Sequence, residues 1–139
     1  MKTRVLDSWP IIEWISGERV AGVRRVGDIV ASLLSDAEHG QLRLLMSAIN
    51  AGEVYYFLRK RHSASLAGVW RDSCQTLPAT IEVPNSQDIW DAAILKGQFP
   101  ISYADAFAAA LAQKHNCPVV TGDPEFRSVD RLELDWIGD

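Results

Sequence analysis

Hydrophobic and polar positions along the chain follow two rhythms. Short segments carrying apolar and β-branched residues recur over residues 2–6, 42–46, 80–83 and 118–121, each bounded by turn residues, and each is predicted to be a strand. Residues 132–137 are a candidate fifth. Between these segments, apolar residues return every three or four positions, the helical period. Ile11, Ile12, Trp14 and Ile15 predict a helix entered near Pro10 and closed by Gly17. Val23, Val26, Ile29, Val30, Leu33 and Leu34 predict one over 20–38, with Gly40 as its stop signal. Further helices are predicted over 50–61, with Val54, Phe57 and Leu58 inward, and over 66–77, ended by Pro78. Ser86 opens another through Ile94, and Ser102 opens an alanine-rich one whose small side chains suit close packing on a sheet. Strands alternating with helices predict an α/β chain with helices on both faces of the sheet. The expected architecture is three layers, α/β/α, around a central, mainly parallel sheet of four to five strands.

The 139 residues, 47% of them hydrophobic, suffice for one continuous core. No linker, repeat or low-complexity tract divides them, so residues 1–139 are expected to be a single domain. No apolar run approaches the length that spans a bilayer. The start, Met1-Lys2-Thr3-Arg4-Val5-Leu6-Asp7, has no apolar signal region. The expected setting is the cytoplasm, without a membrane partner. Cys74 and Cys117 have neither disulfide nor zinc spacing and are expected to be free, buried thiols. The net charge of −4 opposes bulk attraction to nucleic acid, yet it permits a local basic rim around an acidic pocket.

Candidate chemistry lies in four segments that each set a carboxylate beside a turn or helix start: Asp7, Glu53, Asp105 and Asp123. They lie far apart in sequence, so they form no local metal loop. In a parallel sheet, however, the strand ends and helix starts where they sit lie on one edge, where ligand sites form at the topological switch point. Each acid also has a structural explanation. Asn50-x-x-Glu53 and Ser102-x-x-Asp105 have capping-box spacing, Asp123 precedes Pro124, and Asp7 lies ahead of a helix. Helix capping does not, however, require acids at four ends of one edge. If all four converge at roughly 6 Å, each pair costs about 3 kcal/mol at an effective dielectric of 20. Six unopposed pairs reach about 17 kcal/mol, more than the usual stability of a domain. Such a cluster takes up protons or holds a cation, and Mg²⁺ or Mn²⁺ suits a few oxygen ligands. Such an ion activates water and neutralises phosphate oxygens, which is phosphodiester chemistry. Ser8, Asn50 and Thr121 are candidate supporting residues, each with capping as its alternative role.

Arg59, Lys60 and Arg61 end the helix that carries Glu53. They complement the helix dipole or form a phosphate-contacting rim. His39, His62 and His115 are too scattered for a metal or triad site, and there is no glycine-rich phosphate loop. A phospho-acceptor receiver domain would share the layout, but paired acids after the first strand are missing.

At the level of motifs, the chain resembles the PIN-domain family, in its VapC-like toxin branch. Val5-Leu6-Asp7-Ser8 resembles the first family motif and Asn50-Ala51-Gly52-Glu53-Val54-Tyr55-Tyr56 the second. Ile101-Ser102-Tyr103-Ala104-Asp105-Ala106-Phe107 resembles the third and Val120-Thr121-Gly122-Asp123-Pro124-Glu125-Phe126 the fourth. The resemblance implies a Mg²⁺- or Mn²⁺-dependent endoribonuclease serving as the toxin of a type II toxin–antitoxin pair. Asp7, Glu53, Asp105 and Asp123 would be its acidic quartet. Some members carry a further Asp in the fourth motif, and Glu125 stands in that place here. The resemblance also implies an RNA substrate, an antitoxin partner and a homodimer. The competing expectation is a catalytically inactive PIN-like module that binds RNA or protein.

Overall fold

Five strands align side by side in the computed structural model, which describes residues 1–17 and 24–138. In chain order the elements are β1 (Lys2–Leu6), α1 (Ser8–Ser16), α2 (Arg24–Glu38), β2 (Leu42–Ser47), α3 (Ala48–Arg61), α4 (Ala64–Ser73), β3 (Thr80–Glu82), α5 (Ser86–Gln98), α6 (Tyr103–His115), β4 (Val119–Thr121), a 3₁₀ helix (Pro124–Ser128) and β5 (Leu134–Trp136). The strand order is β3-β2-β1-β4-β5, with every pairing parallel. Val5 pairs with Leu45 on one side and with Val119 on the other. The chain runs outward from β1 through β2 to β3, then returns to the far side of β1 as β4. That reversal puts the switch point between β1 and β4, with their carboxyl ends side by side.

Successive strand residues face opposite layers, which explains the adjacent apolar positions. Val5, Leu45 and Val119 pack in one core cluster with α5 and α6. Leu6, Leu44, Met46 and Val120 belong to the other, with α1 to α4. The alanines of α6 (Ala106, Ala108, Ala109, Ala110 and Ala112) are buried, letting that helix lie close on the sheet. Val26, Val30 and Leu34 of α2 are buried within this chain, whereas Val20 and Val23 fall outside the described residues.

Several local expectations need correction. The first helix starts at Ser8, because Asp7 in extended geometry caps it, and Pro10 then lies within its first turn. Asn50 is not the cap of α3. Ser47 is, accepting a hydrogen bond from Ile49 N, so the strand before it runs one residue longer than expected. The fourth helix covers Ala64–Ser73, beginning two residues before and ending four residues before the expected 66–77, since Ser63 caps it early and turns follow Ser73. The fifth helix continues to Gln98 behind a capping box between Asn85 and Asp88. Cys117 is buried as expected, but Cys74 is only half-buried, at the end of α4. Among the described residues no helix is long and apolar enough to cross a membrane.

Candidate metal centre

Asp7 leaves β1 at the switch point. Its backbone caps α1 but its carboxylate makes no capping bond, which frees the side chain for the sheet edge. It is completely buried. Thr121 Oγ1, from the end of β4, donates to Asp7 Oδ2 at 2.8 Å. The same hydroxyl accepts from Asp123 N at 3.0 Å, so one threonine ties the first motif to the fourth. The turn between them is held by α1, because the Trp9 indole lies so close over Gly122 that any side chain there would collide with it.

Glu53 comes from the second turn of α3. Ser8 Oγ donates to Glu53 Oε1 and lies 3.4 Å from Asp7 Oδ1. Below Glu53, buried Trp70 of α4 donates to Ala51 O at 2.9 Å and fixes α4 against α3. Asp105 enters with the first turn of α6, where Ser102 Oγ accepts from Asp105 N at 3.1 Å. The reciprocal half of a capping box is absent: Ser102 N donates to Glu125 Oε2 at 3.3 Å instead. The Asp105 side chain, 3% exposed, is thereby left to the acidic cluster. Asp123 does cap, accepting from Glu125 N at 3.0 Å at the start of the 3₁₀ helix.

The carboxylates form two overlapping triads. Asp7, Glu53 and Asp105 present oxygens that all lie within 4.8 Å of one another, and so do Asp105, Asp123 and Glu125. Asp105 is common to both. Burial pushes the Asp7 carboxyl up to about 7, with Glu53 and Asp123 adding to it and the Thr121 and Ser8 hydrogen bonds opposing it. Asp105 rises further, to about 9, again chiefly by burial, then by Asp7, its hydrogen bond with Glu125, and the charges of Asp123 and Glu53. All five acids therefore share one electrostatic environment.

Asn50 plays a role other than the capping expected of it. Its Nδ2 donates to Ala104 O at 3.0 Å, joining α3 to the first turn of α6 beside Asp105, and its buried Oδ1 has no partner. The five carboxylates make an oxygen-only, electron-rich cluster that, among the described residues, includes no histidine or thiolate. That donor set fits a hard divalent cation such as Mg²⁺ or Mn²⁺.

Arg59, Lys60 and Arg61 occupy the last turn of α3 and are all exposed. Arg59 donates to the Tyr55 hydroxyl at 3.2 Å, Lys60 Nζ lies 6.0 Å from the Tyr56 ring centre, and the Arg61 guanidinium lies 5.2 Å from that of Phe57. Tyr56, which closes the second motif, also belongs to the site. Its phenol hydrogen-bonds to Glu53, and desolvation followed by the Glu53 and Asp105 charges pushes its pKa up. The available signal was its position three residues after Glu53, on the same helical face. A recess of about 850 Å³ lies at the far ends of α5 and α6, lined by residues such as Gln98, Lys114 and Glu133, and none of the five clustered carboxylates lines it.

A family model for the PIN domain matches residues 5–132. A search of curated proteins found no match. Among solved structures, the chain is similar to Mycobacterium tuberculosis VapC20, described as a sarcin–ricin loop cleaving toxin, with a TM-score of 0.75 and 15% identity over 94% of this chain and 98% of that one. VapBC2 from Rickettsia felis, bound to a DNA fragment from its promoter, gives a TM-score of 0.71 at 15% identity, covering 96% and 97%. FitAcB from Neisseria gonorrhoeae gives 0.66 at 21% identity, covering 95% and 96%.

Proposed function

The chain belongs to the PIN-domain family, and from that premise we propose that it is a divalent-metal-dependent endoribonuclease, the toxin of a type II toxin–antitoxin pair. The observation that carries the reading is the meeting of Asp7, Glu53 and Asp105, from three separate segments, within 4.8 Å. Asp7, Glu53, Asp105 and Asp123 would hold Mg²⁺ or Mn²⁺, with Glu125 completing the outer side. A bound ion would supply charge neutralisation at the phosphate and a lowered pKa for the attacking water.

The chain's own residues prepare that chemistry. Ser8 and Thr121 fix the orientations of Glu53 and Asp7. With pKa values near 7 and 9, Asp7 and Asp105 hold protons around neutrality and release them as a cation enters. Their burial excludes bulk water from one side of the pocket, while Asp123 and Glu125 keep the other side open. Arg59, Lys60 and Arg61 would contact the RNA backbone. RNA is the favoured substrate class because single-stranded loops offer a flexible backbone to a narrow site, and the similarity to VapC20, a sarcin–ricin loop cleaving toxin, supports that choice.

Partner expectations follow the same reading. An apolar recess of about 390 Å³ beside Glu53, lined by Ala51, Gly52, Tyr55, Trp70, Arg71 and Cys74, suits an apolar segment of an antitoxin. Exposed Ile89, Trp90 and Ile94 on α5 suit a homodimer contact. We place the protein in the cytoplasm as one domain over residues 1–139. The test pairs Mn²⁺ titration calorimetry with cleavage of a looped RNA by wild type and Asp7→Asn. Carboxylate-dependent Mn²⁺ binding with at least a roughly 100-fold loss of cleavage in Asp7→Asn is expected. Equal cleavage by both proteins would end the nuclease reading, and absence of both binding and cleavage would leave a non-catalytic module.

A further inference from the structure

The mouth of the acidic pocket carries an aromatic side chain that the fold does not use. Tyr56 stands three residues beyond Glu53 on α3 and is 51% exposed. Among the described residues no other aromatic ring packs against it. Tyr103, the exposed tyrosine at the start of α6, instead spends its ring on Phe107, with centroids 5.0 Å apart. Leaving half of a tyrosine in water forgoes about half of the stabilisation its burial would give. The Tyr56 ring is nevertheless held in place. Its hydroxyl bonds to Glu53, and the Lys60 ammonium lies one turn further along the helix, 6.0 Å from the ring centre. The exposed surface of α3 thus reads, outward from the acids, as carboxylate, aromatic ring and cation.

That order matches what a single strand presents. A flexible strand offers an unstacked base beside each phosphate, and proteins hold such strands by pairing an aromatic platform with cations along the backbone. We propose that Tyr56 is a substrate-binding residue: its ring stacks on a base next to the scissile phosphate, and Lys60 contacts the following phosphate. The proposal rests on the ribonuclease reading above. It makes the pocket selective for single-stranded or looped RNA over duplex, since a paired base has both faces already covered. The hydroxyl has a separate task, orienting Glu53.

The test uses the full chain carrying Asp105→Asn, so that RNA is bound without being cut. The probes are a fluorescein-labelled single-stranded oligoribonucleotide of mixed sequence and the matching duplex, read by anisotropy. Adding Tyr56→Leu is expected to weaken single-strand binding roughly 10- to 100-fold and to leave duplex binding unchanged. Adding Tyr56→Phe, which keeps the ring, is expected to stay within about twofold. Unaltered single-strand affinity in Tyr56→Leu overturns the proposal, and so does an equal loss in Tyr56→Phe, which would assign the whole effect to the hydroxyl. If the Asp105→Asn protein binds neither probe while wild type binds Mn²⁺ and cuts no RNA, the ribonuclease reading fails and the proposal with it. Because Tyr56 is exposed, an unchanged urea midpoint separates a binding defect from unfolding.

Discussion

The inner triad of Asp7, Glu53 and Asp105 and the outer triad of Asp105, Asp123 and Glu125 each bring their oxygens within 4.8 Å of one another, yet they manage their charge by different means. Inner carboxylates are buried or half-buried and are met by side-chain hydroxyls, Thr121 on Asp7 and Ser8 on Glu53. Outer carboxylates are met by backbone: Asp123 accepts from Glu125 N, and Glu125 accepts from Ser102 N. Water screens the outer pair, whereas burial lifts Asp7 to about 7. Acids of one type within one pocket therefore differ in what they need. The inner triad requires protons or a cation to be tolerated, whereas Asp123 and Glu125 on the outer side face water and each accepts a backbone N–H. Asp105 belongs to both and carries the largest shift, to about 9.

The largest consequence concerns the shared residue. Asp105→Asn is expected to lower RNA cleavage by at least about 1000-fold, because a catalytic cation supplies several kcal/mol and both triads lose a ligand at once. Mn²⁺ binding by calorimetry should weaken together with kcat. A residual activity near wild type would mean that Asp105 is not the hinge between the triads.

An intermediate effect is the pH dependence of stability with metal chelated. The folded-state pKa of Asp7 is raised from 3.8 to about 7 and that of Asp105 from 3.8 to about 9. Between the ordinary and the raised value the folded state binds more protons than the unfolded state, so stability falls as pH rises. The contribution is fully present below 3.8 and is lost progressively through 7 for Asp7 and through 9 for Asp105. Asp88, held low by its cap on Asn85, acts in the opposite sense, its contribution fading only in acid. For Asp7 alone the loss is on the order of 4 kcal/mol. In EDTA the urea midpoint should therefore drop between about pH 5 and about pH 8, and saturating Mn²⁺ should restore it. A flat profile in EDTA would remove the proposed difference between inner and outer acids.

The smallest effect belongs to the outer side. Glu125→Gln removes one charge but keeps an oxygen for Ser102 N, so cleavage should fall less than roughly tenfold, with Mn²⁺ affinity nearly unchanged. A loss matching that of Asp105→Asn would make the outer triad an equal partner in binding the ion.

Much of this arrangement is written in the chain in a local code. Apolar runs such as Leu44-Leu45-Met46 mark strands buried on both faces, and the alanines of α6 mark a helix lying close on the sheet. Asp7 and Asp123 follow strands, so their place on the switch edge follows from strand order in any parallel sheet of this kind. The supporting shell was less legible. Asn50-x-x-Glu53 and Ser102-x-x-Asp105 have the same capping spacing, yet Ser47 caps α3, whereas Ser102 does cap α6. Spacing alone does not distinguish them, because the choice depends on where the preceding strand stops pairing. The Thr121 hydroxyl on Asp7 and the Trp9 indole over Gly122 are contacts between elements, absent from any single window.

By itself the sequence determined the layers, the strands and the four acids beside strand ends or helix starts, because hydrophobic periodicity and turn chemistry act over a few residues. Only the tertiary structure decided that Asp105 joins two triads, that Glu125 enters the outer one, and that Asn50 links α3 to α6. Those facts depend on distances between segments dozens of residues apart, and long-range packing sets them where local preference is silent.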